Sequence, residues 1–335
     1  MVPLLTPAPL QLSCMNSMDF AKVVAAVDIG GTNTVFALVD RAGRILHKDT
    51  VPTRSAITCE ALVQAVSDRL RLTSKDYQLM AVGIGAPNGN YFNGTIEFAP
   101  NLPWKGVIRL AQLFTREMQV PAFVTNDANA AALGEMYFGA AKNIKEFIFI
   151  TLGTGLGSGI VVNGQLVYGH DGFAGELGHT IIVQHGRPCG CGRRGCLEQY
   201  CSASGIVKTY KEIIRNADPE KYNGDAFSDV TSKTIYDKAL SGDEAAFYAF
   251  NYTGEMLGFA LANSVAYTSP EAIFLFGGLA EAGELLFTPT LLSFEKNVLA
   301  IYRNKVSILP SGLPENDAAL LGAASLAWND LEKNI

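Results

Sequence analysis

One pattern occurs twice in this chain and limits what it can fold into. Residues 23–40, VVAAVDIGGTNTVFALVD, read as strand, glycine-rich turn, strand, and residues 147–162, FIFITLGTGLGSGIVV, read the same way. Short β-branched runs bounded by glycine turns are signals of buried strands. Each turn offers backbone N–H groups and one threonine, Thr32 or Thr154, at the mouth of a sheet. The two hairpins look like corresponding pieces of two similarly built halves. A length of 335 residues is enough for two domains, each with its own core.

Between and beyond the hairpins, strand and helix patterns alternate, which indicates an α/β protein. A third strand is expected at 44–53, a helix at 58–72 and a buried strand at 81–85. A Gly/Asn/Pro-rich loop then runs to Trp104, followed by a helix at 106–118, a strand at 122–125 and an Ala-rich helix from Ala128. Helical segments fill the stretch to Tyr267. A strand AIFLFGG, another helix, a strand at 306–309 and an Ala/Leu-rich closing helix complete the chain. The expected division is a disordered extension over 1–20, a small N-terminal α/β domain over 21–127 and a larger α/β domain over 128–316. The helix from about 317 to 335 is expected to pack back on the first domain.

Charge removes several functions. The chain has 26 basic and 32 acidic residues, a net charge of −6, and no basic run, which argues against nucleic acid as a partner. No uncharged apolar stretch approaches the ~20 residues that span a bilayer. The first seventeen residues lack the basic start of a secretory signal, and Met15 or Met18 is an alternative start. The cysteines cluster rather than spread, as expected of metal ligands in a reducing compartment, so the expected location is the cytoplasm.

The chemistry concentrates in four places. Asp28-Ile29-Gly30-Gly31-Thr32 ends a strand with glycines that let backbone N–H groups approach phosphate, and Asp28 can hold a hydrated Mg²⁺. A hairpin turn that merely needs positive φ is the alternative. Gly153-Thr154-Gly155 supplies a second such turn, and no Walker-type GKS or GKT follows either one. Gly277 and Gly278, in FGGL, leave either a flat opening for a nucleobase or ribose, or a simple tight turn.

Asn126 and Asp127 stand where a strand gives way to a helix. A carboxylate there can take a hydroxyl proton during attack on a phosphoryl group, or the pair can simply cap the helix. His179, Cys189, Cys191 and Cys196 have the spacing to wrap one tetrahedral ion, expected to be zinc. Four protein ligands would fill its shell and make it structural. Cys189 and Cys191, one residue apart, are too close for an ordinary mutual disulfide. Cys14, Cys59 and Cys201 are expected as free thiols, and His170 and His185 as surface residues.

Taken in order, DIGGTNT, GIGAP, APNLPW, TNDANAAALGE, LGTGLGSGIV, GELGH, CGCGRRGCLE, FGGL and ALLGAA resemble the ROK family of sugar kinases and related repressors. The resemblance runs from about Val23 into the final helix. It implies a two-domain actin-like (ribonuclease H-like) ATPase fold with ATP and sugar in the interdomain cleft. It also implies Asp127 as the base for the sugar hydroxyl. Asn101, Asn126, Asp127, Glu176, His179 and Glu198 would hold the sugar, and the glycine turns (Gly30, Gly31, Thr32; Gly153, Thr154, Gly155; Gly277, Gly278) would hold ATP. By the same resemblance His179 ligates zinc through one ring nitrogen and faces the sugar with the other, and the protein is a homodimer or a dimer of dimers. Two places depart from the family pattern: APNGN stands where many relatives carry APGP, which bears on sugar contacts near Gly89, and Thr180 follows the histidine where Met is frequent.

The expected activity is that of an ATP-dependent hexose kinase, first a glucokinase forming glucose 6-phosphate, with ATP, Mg²⁺ and structural Zn²⁺ as cofactors. The alternative in the same class is an N-acetylhexosamine kinase for N-acetylglucosamine or N-acetylmannosamine. A sugar-responsive repressor, from another class, is disfavoured because the 27 residues before Asp28 are too few for a helix-turn-helix domain. A non-catalytic ATPase or sugar sensor is disfavoured because Asp127 and both phosphate turns are present.

Overall fold

The computed structural model describes residues 20–217, 229–314 and 317–333. The extension expected at the N-terminus, the alternative starts and Cys14 lie outside the described residues, except for Phe20.

The first hairpin forms β1 (Lys22–Ile29) and β2 (Asn33–Asp40), and β3 (Ile45–Pro52) adds to it antiparallel. After α1 (Cys59–Thr73), β4 (Gln78–Gly85) pairs with β1 in parallel. A small sheet of β5 (Gly89–Asn90), β6 (Thr95–Glu97) and β7 (Val107–Ile108) precedes α2 (Leu110–Met118) and β8 (Ala122–Thr125), which joins β4 in parallel. α3 (Asp127–Phe138) leads to the second hairpin, β9 (Phe147–Leu152) and β10 (Leu156–Val162), extended by β11 (Gln165–Leu166). Helices α4 (Glu198–Cys201), α5 (Ala203–Ala217), α6 (Ser232–Leu240) and α7 (Glu244–Thr268) follow. β12 (Ala272–Phe276), α8 (Glu284–Asn297), β13 (Ser307–Pro310) and α9 (Ala318–Lys333) complete the order.

The two main sheets have the strand orders β3-β2-β1-β4-β8 and β11-β10-β9-β12-β13. In each, a three-stranded antiparallel meander is extended by two parallel strands, so the repeat seen in the hairpins extends to whole sheets. Period-2 alternation explains how both sheets are covered on both faces. Val23, Ala25, Val27 and Ile29 meet Leu62, Val66 and Leu70 of α1 and Phe114 of α2. Their neighbours Val24 and Ala26 turn the other way, into a core with Ala323, Ala324 and Ala327 of α9, Ala131 and Ala132 of α3, and Phe147 and Phe149 of β9. Ile148 and Ile150 point to the far side of the second sheet, against Ile206, Phe250, Leu257 and Leu286.

The layers are therefore α1/α2, first sheet, α9 with α3, second sheet, α5–α8. α9 lies on β1 and β4, α3 lies on β9 and β10, and the two helices pack on each other between the sheets. They cross closely: a Cβ on Gly322 would stand 2.2 Å from the Ala130 carbonyl oxygen, so any larger residue would force the helices apart.

The helix expected over 106–118 begins only at Leu110. Gly106 has φ +86°, outside the helical region, and Ile108 pairs with Ile96 as part of the small sheet. Strand β13 is displaced by one residue from its expected bounds, and α3 begins at Asp127, with Asn126 as its N-cap. Among the described residues no helix is long and apolar enough to cross a membrane.

Candidate active site

A cavity of about 840 Å³ opens between the C-terminal ends of the two sheets. Asn126 and Asp127 enter it because β8 stops at Thr125 and α3 starts at once. Asn126 is extended (φ −72°, ψ 161°), and its Oδ1 accepts the Asn129 N–H at 2.6 Å. The capping role weighed from the sequence is thus filled by Asn126, which leaves its amide nitrogen for other work. Asp127, the first helical residue, takes the Ala128 N–H at 2.9 Å on Oδ1. It faces the open cavity, with protein around it on its other sides. Burial raises its pKa, against the lowering effect of the Ala128 and Asp127 backbone N–H groups.

Asp28, half-buried at the end of β1, is its neighbour. A Cβ on Gly85 would be 3.8 Å from Asp28 Oδ1 and 3.9 Å from the Asp127 Cα. Burial, then the charge of Asp127, push the Asp28 carboxyl up to about 7. An ionised form that is costly at neutral pH is what a nearby cation would relieve. The ionised form is disfavoured by roughly 4 kcal/mol at most. The sign follows from proton binding: the unfolded chain releases this proton near 3.8 and the folded chain near 7, so stability is lost as pH rises through that window. Asp28→Asn is therefore expected to raise Tm of the ligand-free protein at pH 8 by several degrees and hardly at all at pH 4. Thermal melts at the two pH values check this, and an equal change at both would remove the electrostatic account.

Glu176, His179 and Glu198 reach the cavity from the second half. Glu198 Oε2 accepts the Leu156 N–H at 3.1 Å, tying this carboxylate to the Gly153–Gly155 turn, and Gln199 Nε2 donates to its Oε1 at 3.2 Å. Burial raises the pKa of Glu176, with His179 opposing and Asp127 and Glu198 adding to the rise. His179 Nδ1 lies 3.7 Å from Cys189 Sγ, and Cys191 Sγ lies 3.6 Å from Cys196 Sγ. All four candidate ligand atoms fall within 4.8 Å of one another. Around a tetrahedral ion with bonds of about 2.3 Å to sulfur, neighbouring sulfurs stand about 3.7 Å apart, so the donor set fits zinc in size and chemistry. With Nδ1 on the cysteine side, the Nε2 side of the ring is left for the cavity. Gln199, buried, also donates to Cys189 Sγ at 3.4 Å and so joins the cluster to Glu198.

The cavity wall contains Asn101, Asn126, Asp127, Glu176, His179, Glu198, Gly153, Thr154, Gly155 and Gly277, so most of the expected site residues meet there. Asp28, Gly30, Gly31, Thr32 and Gly278 are not part of that wall. The first glycine turn instead packs on the loop below it: a Cβ on Gly31 would stand 2.8 Å from the Asn101 carbonyl oxygen. None of Gly30, Gly31, Gly153 and Gly155 has φ in the left-handed range, which removes the positive-φ explanation for both turns, whereas Gly277 does, at +101°. Nothing lies within 4 Å of where a Gly153 side chain would begin. Gly89 is turned away, packed on the Thr125 carbonyl.

Sequence reasoning missed Asn88, Phe98, Pro100, Thr151 and Ser158, which also form the wall. Phe98, 69% exposed, offers an apolar face at the rim. Among the described residues the wall contains no Lys or Arg, and it carries three carboxylates. Such a site suits a neutral polyol, because carboxylates accept from hydroxyl pairs and repel anions. A triphosphate could enter only with its charge met by backbone N–H groups and a metal ion. Cys59 and Cys201 are buried free thiols, and His170 and His185 are on the surface.

The model of the ROK family matches residues 24–330. The chain is 37% identical to a glucokinase of Streptomyces coelicolor over 310 residues, covering 90% of this chain and 96% of the relative. It is 33% identical to an N-acetylmannosamine kinase of Escherichia coli over 309 residues, covering 91% and 98%. Among solved structures it is similar to a ROK family glucokinase from Streptomyces griseus in complex with glucose and AMPPNP. That likeness has TM-score 0.76 and 35% identity, over 92% of this chain and 99% of the other.

Proposed function

The chain belongs to the ROK family, and on that premise we propose that it is an ATP-dependent hexose kinase, a glucokinase, of actin-like ATPase fold. The observation that carries the reading is the convergence of Asp127 with Asn101, Asn126, Glu176, His179 and Glu198 on one cavity that also contains a glycine turn.

Asp127 accepts the proton of the sugar 6-hydroxyl as that oxygen attacks the γ-phosphorus of ATP, and the bond from phosphorus to the bridging oxygen of ADP breaks. Asn126 donates its free amide to the same hydroxyl. Glu176 and Glu198 each accept from ring hydroxyls, and His179 and Asn101 complete the set. Backbone N–H groups of the Gly153–Gly155 turn face the phosphates, with Gly30, Gly31 and Thr32 on the opposite side. When bound, Mg²⁺ supplies the positive charge that this wall lacks, and Asp28 is the residue to hold it through water. His179, Cys189, Cys191 and Cys196 would hold zinc, and with four protein ligands it would serve to fix the imidazole and the loop carrying Glu198 rather than to take part in the chemistry. A second cavity of about 440 Å³ shares Phe276 with the first and is walled by Ala280, Phe287 and Leu313, which suits the flat apolar face of the nucleobase.

The test is kcat/KM with Mg-ATP for glucose, mannose, fructose, N-acetylglucosamine and N-acetylmannosamine. Glucose is expected to be best, by roughly tenfold or more over either N-acetylhexosamine, in line with the higher identity to the glucokinase (37%) than to the N-acetylmannosamine kinase (33%). A preference for an N-acetylhexosamine would move the assignment within the kinase class, and no turnover of any sugar would end it. Glucuronate, an anion, is expected not to compete.

A further inference from the structure

Glu176 and Glu198 come from separate segments of the chain, yet both are seated on one strand. β10 begins at Leu156, directly after the second glycine turn. Its first N–H, that of Leu156, is donated to Glu198 Oε2 at 3.1 Å. Two residues on, the buried Ser158 hydroxyl donates to the Gly175 carbonyl and accepts the Leu177 N–H at 3.1 Å. One side chain thus holds the backbone on each side of Glu176. The segment lies close on the strand: a Cβ on Gly175 would stand 3.0 Å from the Ser158 carbonyl oxygen, and one on Gly178 would stand 2.1 Å from that of Leu156. Residues two apart on a strand are about 6–7 Å from each other. Leu156 pairs with Leu152 and Ser158 with Ile150 of β9, so the sheet holds that spacing.

The two glycines of the turn before β10 have different surroundings. Nothing lies within 4 Å of where a Gly153 side chain would begin, whereas a Cβ on Gly155 would stand 2.5 Å from Glu198 Oε2 and 3.3 Å from its Cδ. Neither residue has φ in the left-handed range, so backbone conformation does not demand glycine at either position. The Gly153 N–H closes the turn on the Gly155 carbonyl at 3.1 Å. What the missing side chain at 155 makes room for is a carboxylate of the protein itself.

We propose that Gly155 and Ser158 are positioning residues of the sugar site. Gly155 leaves the space in which the Glu198 carboxylate lies, and Ser158 fixes the backbone that presents Glu176, so β10 sets the separation of the two carboxylates that accept from the sugar hydroxyls. The second glycine turn then serves the sugar through Gly155 as well as the phosphates through its N–H groups. The inference rests on the kinase reading for what the carboxylates bind, but the two seats can be tested without a ligand.

Gly155→Ala is expected to fold, because the three atoms nearest the new Cβ all belong to the flexible Glu198 side chain, which can turn aside. The carboxylate then leaves its place, and glucose affinity by calorimetry without nucleotide is expected to fall roughly 10- to 100-fold, the scale of hydrogen bonds to a charged group. Affinity for Mg-ADP is expected to stay within about threefold. Glu198→Ala, measured in the wild type and in Gly155→Ala, closes a double-mutant cycle. The two losses are expected not to add, because both remove the same carboxylate from the sugar. Ser158→Ala is expected to lower glucose affinity by roughly five- to tenfold, again with Mg-ADP affinity kept. In the ligand-free proteins, amide exchange is expected to quicken about tenfold or more at Leu156 in Gly155→Ala and at Leu177 in Ser158→Ala.

A folded Gly155→Ala with unchanged glucose affinity overturns the proposal, and so does an equal loss of both affinities or a loss that adds in full to that of Glu198→Ala. Unchanged glucose affinity in Ser158→Ala overturns the part that concerns Glu176. Should Gly155→Ala fail to fold, the double variant with Glu198→Ala clears the space and is expected to fold; its failure overturns the proposal. A wild-type protein that binds no hexose ends the kinase reading, while the exchange rates still judge the two seats.

Discussion

Asp127→Asn is expected to lower kcat by about a thousandfold or more and to leave glucose affinity within a few-fold of the wild type. General base catalysis by a positioned side chain is worth 10²–10⁴-fold. Asn has the same shape, and its oxygen can still take the Ala128 N–H that the carboxylate accepts at 2.9 Å, so the start of α3 is kept. What is lost is the capacity to take a proton. The pH profile separates this role from a binding role. Burial raises the Asp127 pKa above the ordinary 3.8, and the base works only when ionised, so wild-type kcat falls as pH drops through that raised value. Asp28, itself pushed up to about 7 with Asp127 among the causes, titrates nearby, so the acid limb belongs to the pair rather than to one carboxyl. In Asp127→Asn the residual rate is expected to lose the Asp127 contribution to that limb. Coupled-assay kcat from pH 5 to 9, with calorimetric glucose binding alongside, decides it. A variant within tenfold of the wild type removes Asp127 as the base.

The reach of the sequence can be judged from the same helix. The two hairpins were legible because strand periodicity and glycine turns are local signals, and their repetition pointed to two similarly built halves, though not to the strand order of either sheet. The set His179, Cys189, Cys191 and Cys196 was legible because ligand spacing is a one-dimensional property, and the four side chains do meet. The placing of α3 and α9 between the sheets was not. Both are apolar or small on nearly every side, so they carry no polar face to say which way is out, and a helix without a polar stripe only announces burial. Glu135 was hidden for the opposite reason: an acid within an alanine-rich helix reads as a solvent-facing charge, and its three donors come from residues 140, 311 and 312. Asn126 shows where alternatives dissolve. Capping and substrate contact were weighed as rivals, yet Oδ1 caps the helix and the amide nitrogen stays free for a second task.

Cys196→Ser is expected to lower kcat/KM for glucose by about a hundredfold or more, to lower the zinc content from about one per chain to near zero, and to reduce Tm. Glu198 must be held toward the cavity, yet it follows a loop with little regular structure of its own. Two isolated bridges, Ile181 with Cys196 and Pro188 with Arg194, are its only ladder pairings among the described residues. Arg187 anchors one side by donating to the Gln199 carbonyl at 2.7 Å and by pairing with Glu212. Ile182 and Val183 rest on the core of the second half, but Cys191 at the tip of the loop is exposed, while Cys196 is fully buried. Structural zinc contributes of order 10 kcal/mol to such a loop, far more than two bridges can replace. A serine at 196 keeps the size but is a poor zinc ligand, so on the proposed zinc reading the ion would leave and His179 and Glu198 would lose their common frame together. The loss should appear mainly in KM, because Asp127 stands on another element, at the start of α3. Chelator treatment of the wild type should reproduce it, and added zinc should reverse it. Elemental analysis with paired kinetics gives the answer: a chain that is folded, free of metal and fully active would show that hydrogen bonds alone hold the loop.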